Sequence, residues 1–583
     1  VSKSYQMQLC FIWISSYRNI EDQGFNLGSA FHLIYDRRKN YLNIHDNPKY
    51  IPNFFGKDVV NVTRIVGENA AGKTNVLELI NYMMDGGNTR VAAPFIMVFE
   101  DSGVFKVVGN SIRNLESNII VEFEPYTGAK LPMESVFFTN IFDGRRYEFG
   151  ENIHDLSTNR ILHNQFGENI QTNLKREVQG QIRFLQSQAF RHLQEIEKIA
   201  YPETALDIKP AHVQFISPAW ENINNRARNF DRLVSNTIGE KFTSLNELCQ
   251  SFRKQITMRH TERTFIYFTS FLLLLDFLSN EFVPDAREIG KKPTGRVVSA
   301  DDLRNELSQL GLRELKGLPL HDLHEAITGP IALFIDKNYP YTFEKFKFLY
   351  ELDSYYFPAL EKQTEGTYNR RKFQFSCELS SDVESFIRGY MEATTQLNLS
   401  YTIEWLGISS GQRAFMNMLS RMYNIAGTVK NDNLLITIDE GDLYFHPRWQ
   451  VEYLSRLIRI LPLIFTGKKL QLILTTHSPF LVSDLTKSHL IFLRKDRDQR
   501  CIVLSPKELQ KETFGGNIGE LYLNAFFLKG SLISHFAAEK ITAMAARIKE
   551  AGKNYSLEDD LLLSQLGDRV IQTQIKKFLN DPD

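Results

Sequence analysis

The 583-residue sequence predicts an α/β fold: a mixed sheet with antiparallel hairpins, opened by a helical insertion and followed by a helical C-terminus. Three observations carry that expectation. A strand–loop–helix unit at 59–84 holds a glycine-rich loop, two later apolar strands end in charged residues, and the stretch between them has helical periodicity.

The loop organises the rest. Gly67-Glu68-Asn69-Ala70-Ala71-Gly72-Lys73-Thr74 fits G-x-x-x-x-G-K-[ST] at every required position. Val59–Val66 before it is β-branched and mostly apolar, as a buried strand requires. Val76, Leu79, Ile80 and Met83 after it share one helix face, and Asp85-Gly86-Gly87 supplies the stop. Glycine at such a turn lets several backbone N–H groups point at a phosphate, at the positive end of the following helix. Lys73 can reach the β- and γ-phosphates and the Thr74 hydroxyl can hold Mg²⁺. With Gly67, Asn69, Ala71, Gly72 and Asn75 they form the expected ATP-binding set.

Upstream, Met7–Ile14 and Phe31–Tyr35 flank the turn residues Ser15-Ser16-Tyr17-Arg18-Asn19, which predicts an antiparallel hairpin. Strands are also expected at Phe95–Phe99, Val104–Val108 and Asn118–Phe123, with the first half of the head closing near Asn140 and occupying 1–150. Residues 151–395 read as a mainly helical insertion. There Leu174, Val178, Ile182, Leu185, Ala189, Leu193 and Ile196 are spaced as one heptad-like helix, with Lys175, Arg176, Arg183 and Arg191 on its polar face. A Pro/Gly/Lys-rich linker spans Pro284–Gly295. Alternation returns at Phe373–Cys377 and Tyr401–Ile403, so 396–514 is assigned to the head's second half and 515–583 to C-terminal helices.

Bulk properties exclude several classes. Hydrophobic residues at 43% and charged ones at 23% rule out wholesale disorder. Lys+Arg of 68 against Asp+Glu of 69 confines any nucleic-acid contact to local patches. Arg145-Arg146 and Arg370-Arg371-Lys372 are candidates for these, although solvated loops explain them as well. Cys10, Cys249, Cys377 and Cys501 stand far apart, which points to a reducing cytosol. No signal peptide is evident. The longest apolar block, Phe265–Leu275, falls short of the roughly 18 residues of a membrane span and reads as a buried helix. A cytoplasmic protein without membrane segments is expected.

Three further stretches follow in order. Ser409-Ser410-Gly411-Gln412 opens a helix with Phe415, Met418, Leu419 and Met422 on one face, a second place where N–H donors and a hydroxyl can meet an anion. Leu434–Ile438 is an apolar strand ending in Asp439-Glu440: Asp439 can hold the Mg²⁺ shell and Glu440 can deprotonate attacking water. Leu472–Thr476 ends in His477, placed to hydrogen-bond a γ-phosphate.

That order resembles the ABC-type ATPase heads of the RecF, SMC and overcoming-lysogenization families. The resemblance implies that 67–74 is Walker A, Ser409–Gln412 the signature, Asp439-Glu440 Walker B, and His477 the switch histidine. It puts Asp442 in the D-loop, and Tyr17-Arg18-Asn19 beside the nucleotide. No glutamine stands where the family has its Q-loop; Asn140 is a weak substitute. Ile438–Pro447, Glu512–Ile518 and Phe526–Lys540 are similar to the ATPase subunit of the Septu defence system, whose relatives also accompany some retrons. The resemblance implies a homodimer or higher homo-oligomer through the ATP heads, and a separate effector nuclease of HNH type. Nothing after His477 looks like a Toprim nuclease.

His321-Asp322-Leu323-His324 reads as a solvated helix face, since nothing else converges to make a metal site. The expected function is an ATP-hydrolysing subunit of an anti-phage complex. The alternatives are a DNA-repair clamp of RecF or SMC type, and a low-turnover scaffold that restrains a toxic effector.

Overall fold

The computed structural model describes residues 7–86, 91–126, 131–162, most of 170–216, 364–369, 372–379, 402–505, 512–525, 533–551 and 554–580, with a few isolated positions. Phe265–Leu275, Pro284–Gly295, His321 and His324, Arg370-Arg371, and the side chains of Cys249 and Cys377 lie outside the described residues.

In chain order, β1 (Gln8–Tyr17) and β2 (Ile20–Asn26) form one antiparallel hairpin and β3 (Phe31–Asp36) and β4 (Tyr41–Asp46) another. β5 (Val59–Gly67) leads through the loop to α1 (Lys73–Met84). Next come β6 (Phe95–Asp101), β7 (Val104–Asn110), β8 (Glu116–Ser117), β9 (Val121–Pro125), β10 (Glu134–Thr139) and β11 (Ile153–Asp155). Helices α2 (Thr158–Leu162), α3 (Ile170–Leu185) and α4 (Gln188–Ala200) precede β12 (His212–Ile216), β13 (Thr364–Asn369), β14 (Lys372–Glu378) and β15 (Thr402–Leu406). Then follow α5 (Ser410–Ala426), β16 (Asn433–Asp439), α6 (Pro447–Ile464), β17 (Lys469–Thr475) and α7 (Pro479–Ser483). Strands β18 (Leu490–Lys495) and β19 (Cys501–Leu504) and helices α8 (Ile518–Ala525), α9 (His535–Ala551), α10 (Leu557–Ser564) and α11 (Arg569–Asn580) complete the fold.

The central sheet has 12 strands in the order β11-β10-β16-β17-β5-β18-β19-β2-β1-β6-β7-β9. From β11 to β18 the neighbours are parallel; the rest is a mixed flank carrying the first hairpin. Every residue of β16 and β17 is buried, as in parallel strands covered on both faces. The predicted helix face Val76, Leu79, Ile80 and Met83 joins Ile65, Leu435 and Ile473 in one apolar core. On the flank, Leu33, Leu42 and Ile44 of the second hairpin cover Phe11, Trp13, Ile96 and Val98.

Register sets up the site. Thr139 pairs with Asp439, Ile438 with Leu474 and Thr475 with Ile65, so β10, β16, β17 and β5 end side by side. The crevice beyond the carboxyl ends of such strands is where open α/β sheets bind ligands.

The residues read as one helix from Leu174 to Ile196 form two. Ser187 separates α3 from α4 because its hydroxyl accepts a hydrogen bond from Phe190 N and caps the second helix. Of the strand expected at Asn118–Phe123 only Val121–Phe123 is extended, as the start of β9, while 118–120 connect it to β8. Within 151–395, β12, β13 and β14 join β15 in a four-stranded antiparallel sheet ordered β13-β14-β12-β15. Beyond 515 the described elements are all helical.

Candidate functional site

The phosphate loop has the backbone its motif demands. A Cβ on Gly67 would run into the Leu493 carbonyl, and Gly72, at φ +108°, has Asn19 Oδ1 3.0 Å from where a Cβ would stand. Ala71 is buried and Asn69 exposed. The first turn of α1 holds no acidic residue and no side chain caps it, leaving its N–H groups for an anion. Lys73 is buried, and its Nζ donates to the Gly67 and Glu68 carbonyls, both at 3.2 Å.

Across the strand ends, Asp439 accepts hydrogen bonds from Thr475 Oγ1 at 2.6 Å and Thr74 Oγ1 at 3.0 Å. Burial pushes its carboxyl up to about 6, against the pull of these hydroxyls. Glu440 behaves oppositely. The hydrogen bond from His477, at 3.1 Å, holds its carboxyl below the usual range despite burial, with Lys73 adding attraction. Glu440 is also bent into the left-handed region at φ +48°, where its N–H donates to Thr475 Oγ1 at 2.9 Å. Adjacent carboxylates with divergent affinities for protons suit different chemical tasks.

The β1–β2 turn lies over the loop. Arg18 Nη1 donates to Asn75 Oδ1 at 3.0 Å and Nη2 meets Glu78 at 2.6 Å. Asn75 Nδ2 donates to Asn19 Oδ1 at 2.8 Å, and Asn19 Nδ2 reaches the Ala71 carbonyl. Arg18 and Asn19 of the Tyr17-Arg18-Asn19 segment thus lie against the phosphate loop and the first turns of α1.

Ser409 to Gln412 form a self-contained helix start. Ser409 Oγ accepts from Gln412 N, and Gln412 Oε1 accepts from Ser409 N. Ser409 and Ser410 are exposed, while Gly411 is buried with the Tyr444 carbonyl 2.9 Å from where a Cβ would be. Among the described residues their side-chain hydrogen bonds run to one another and to Asp207, and none reaches the phosphate loop. Asn140 Nδ2 donates to the Ala414 carbonyl at 3.4 Å, tying the end of β10 to α5.

The fold thus gathers Gly67, Gly72, Lys73, Thr74, Asn75, Asp439, Glu440 and His477 around the ends of β5, β16 and β17. Thr475 went unnoticed in the sequence, although a hydroxyl ending an apolar strand beside the histidine was the available signal. Thr74 and Asp439 offer oxygen donors 3.0 Å apart, which suits Mg²⁺; that ion uses one or two carboxylates together with substrate phosphates. Among the described residues no cluster of three His, Cys, Asp or Glu side chains would hold a metal by itself.

The family described as "AAA domain, putative AbiEii toxin, Type IV TA system" matches residues 62–483, from within β5 to the end of α7. The chain belongs to this family. It accordingly carries an ATPase-type domain of P-loop fold. Septu protein PtuA of Bacillus thuringiensis is 37% identical over 87 residues, 15% of this chain and 20% of that protein. Septu protein PtuA of Bacillus mycoides (strain KBAB4) is 31% identical over 93 residues, 16% of this chain and 12% of the relative. These matches cover a fifth or less of either relative's length. No described helix is long and apolar enough to cross a membrane.

Proposed function

We propose that this chain is the ATP-binding and ATP-hydrolysing subunit of an anti-phage defence complex, working as a head-to-tail dimer of ABC type that controls a separate HNH-type nuclease. The observation that carries the catalytic half is the convergence of Lys73, Thr74, Asp439, Glu440 and His477 at adjacent strand ends.

Lys73 and the α1 N-terminus balance phosphate charge. Thr74 and Asp439 would hold Mg²⁺, which supplies neutralisation of charge on the transferred phosphoryl group. Glu440 takes a proton from the attacking water, oriented by His477 and by its own backbone bond to Thr475. The Ser409 hydroxyl caps its own helix, and Ser409, Ser410 and Gly411, which among the described residues make no side-chain bond to their own loop, serve the nucleotide of a second copy.

Similarity to the two Septu PtuA proteins supports the defence role. Phosphodiester cleavage usually needs a metal cluster or strong nucleophile besides the ATP site, and among the described residues no three His, Cys, Asp or Glu side chains gather to hold a metal, so this reading assigns the cutting to a partner. The test is incubation of the repurified chain with plasmid, single-stranded DNA and RNA in Mg²⁺ or Mn²⁺. No cleavage is expected. Robust cleavage that depends on residues outside the ATP site overturns the reading.

A further inference from the structure

Arg64 is a charged residue in the middle of the apolar strand β5, paired with Leu474 on one side and Leu490 on the other, and its side chain is wholly buried. Its Nη1 lies 3.3 Å from Asp484 Oδ2, while Nε and Nη2 have no hydrogen-bond partner. Burying a guanidinium costs several kcal/mol unless its donors are used. Side chains alternate along a strand, and the next residue, Ile65, belongs to the α1 core. Arg64 therefore faces the opposite side of the sheet, where Asp442 and Tyr453 also act on its charge.

Its surroundings flank the Glu440–His477 pair. Asp484 caps α7, which begins just after His477. Asp442 follows Glu440 closely and accepts a hydrogen bond from Thr476 Oγ1 at 3.0 Å. Beside it, Leu443 and Tyr444 are half exposed. On its outer side α7 is tied to the following segment, with Gly515 N donating to Ser483 O at 2.8 Å and Thr513 Oγ1 to Leu485 O at 2.6 Å.

We propose that Arg64 is a positioning residue coupling the Asp442 turn to the His477 segment, its idle N–H groups engaging Asp442 when two heads close on nucleotide. This rests on the dimer reading above. Its consequence is that closure at Asp442 shifts the pull on Asp484, and so on α7 and the segment bonded to it.

The experiment measures ATP binding and ATP-dependent association in an E440Q background, alone and with R64Q, R64K or D442N. E440Q is expected to associate with ATP. Adding R64Q should weaken association at least about tenfold with nucleotide affinity held within about threefold, and R64K should restore part of the loss. If circular dichroism shows R64Q unfolded, D442N carries the test, because it leaves the Arg64–Asp484 pair intact; the same loss is expected. Unchanged association in folded R64Q or in D442N overturns the coupling. Failure of E440Q itself to associate overturns the dimer reading instead. Arg64 is then judged by turnover of R64Q, D442N and the double variant with Glu440 intact: non-additive losses support coupling and additive ones overturn it.

Discussion

The phosphate loop and the start of α5 are built differently. At the phosphate loop, side chains from α1 and from the ends of β16 and β17 bond to one another: Thr74 to Asp439, Asp439 to Thr475, Glu440 to His477. At the start of α5, Ser409 and Gln412 bond to each other while two serines face solvent. One region is a cross-braced centre and the other a finished cap. The difference teaches that substitutions in the first should disturb chemistry within a chain, whereas those in the second should act only where another molecule meets it.

The sharpest way to break that contrast is Glu440→Gln. Turnover should fall at least about 100-fold, the usual worth of a general base, with ATP affinity within about threefold in a filter or fluorescence assay. Wild-type hydrolysis by this variant would remove Glu440 from the mechanism. Lys73→Ala should act on binding instead, weakening ATP by roughly 10- to 100-fold through loss of charge-assisted hydrogen bonds. Isothermal titration distinguishes the two.

Ser409→Asn sharpens the comparison from the other side. Asparagine caps helices as well as serine, so the melting temperature should barely move, while hydrolysis should fall about tenfold or more through loss of the hydroxyl at the partner's nucleotide. Normal, concentration-independent turnover would show that the cap is only a cap.

The last expected effect lies away from both regions and leaves the chemistry untouched. His489 is buried against Phe54 and Phe55 with Asn61 Oδ1 3.2 Å from its Nδ1, and burial lowers its pKa from 6.5 to about 4. The unfolded chain therefore binds a proton that the native fold refuses. Stability is fully present above pH 6.5 and is lost as pH falls toward 4, by roughly 1–3 kcal/mol at the bottom of that window. His489→Gln should flatten this part of a urea-midpoint profile while leaving ATP hydrolysis per folded molecule unchanged.

Much of the centre was legible because its signals are local. The loop, the helix face from Val76 to Met83, and the strands ending at Asp439 and His477 each lie within a short window, and the fold keeps them all. What escaped depends on distant partners. The apolar stripe from Leu174 to Ile196 runs unbroken through Ser187 because α3 packs on α5 and α4 on α6, so both helices need an apolar face. β12 is short, and its strand character comes from pairing with β14 and β15, far along the chain. The meaning of Arg64 was hidden in the same way, since the acids that answer it, Asp442 and Asp484, belong to the other half of the head.

The parallel register of β5 with β17 also sets a timetable for synthesis. Ile65 and Thr475 are immediate neighbours, yet most of the polypeptide is made between them. At roughly 5–20 residues per second, the ribosome delivers the second on the order of 20–80 s after the first. During that interval β5 is an apolar strand without either of its parallel neighbours, since β18 comes later still. The hairpins β1–β2 and β6–β7 can pair at once, because their contacts are local. The head is therefore assembled from its antiparallel flank inward, and a nascent chain halted before β17 carries an unpaired, sticky edge rather than half an enzyme.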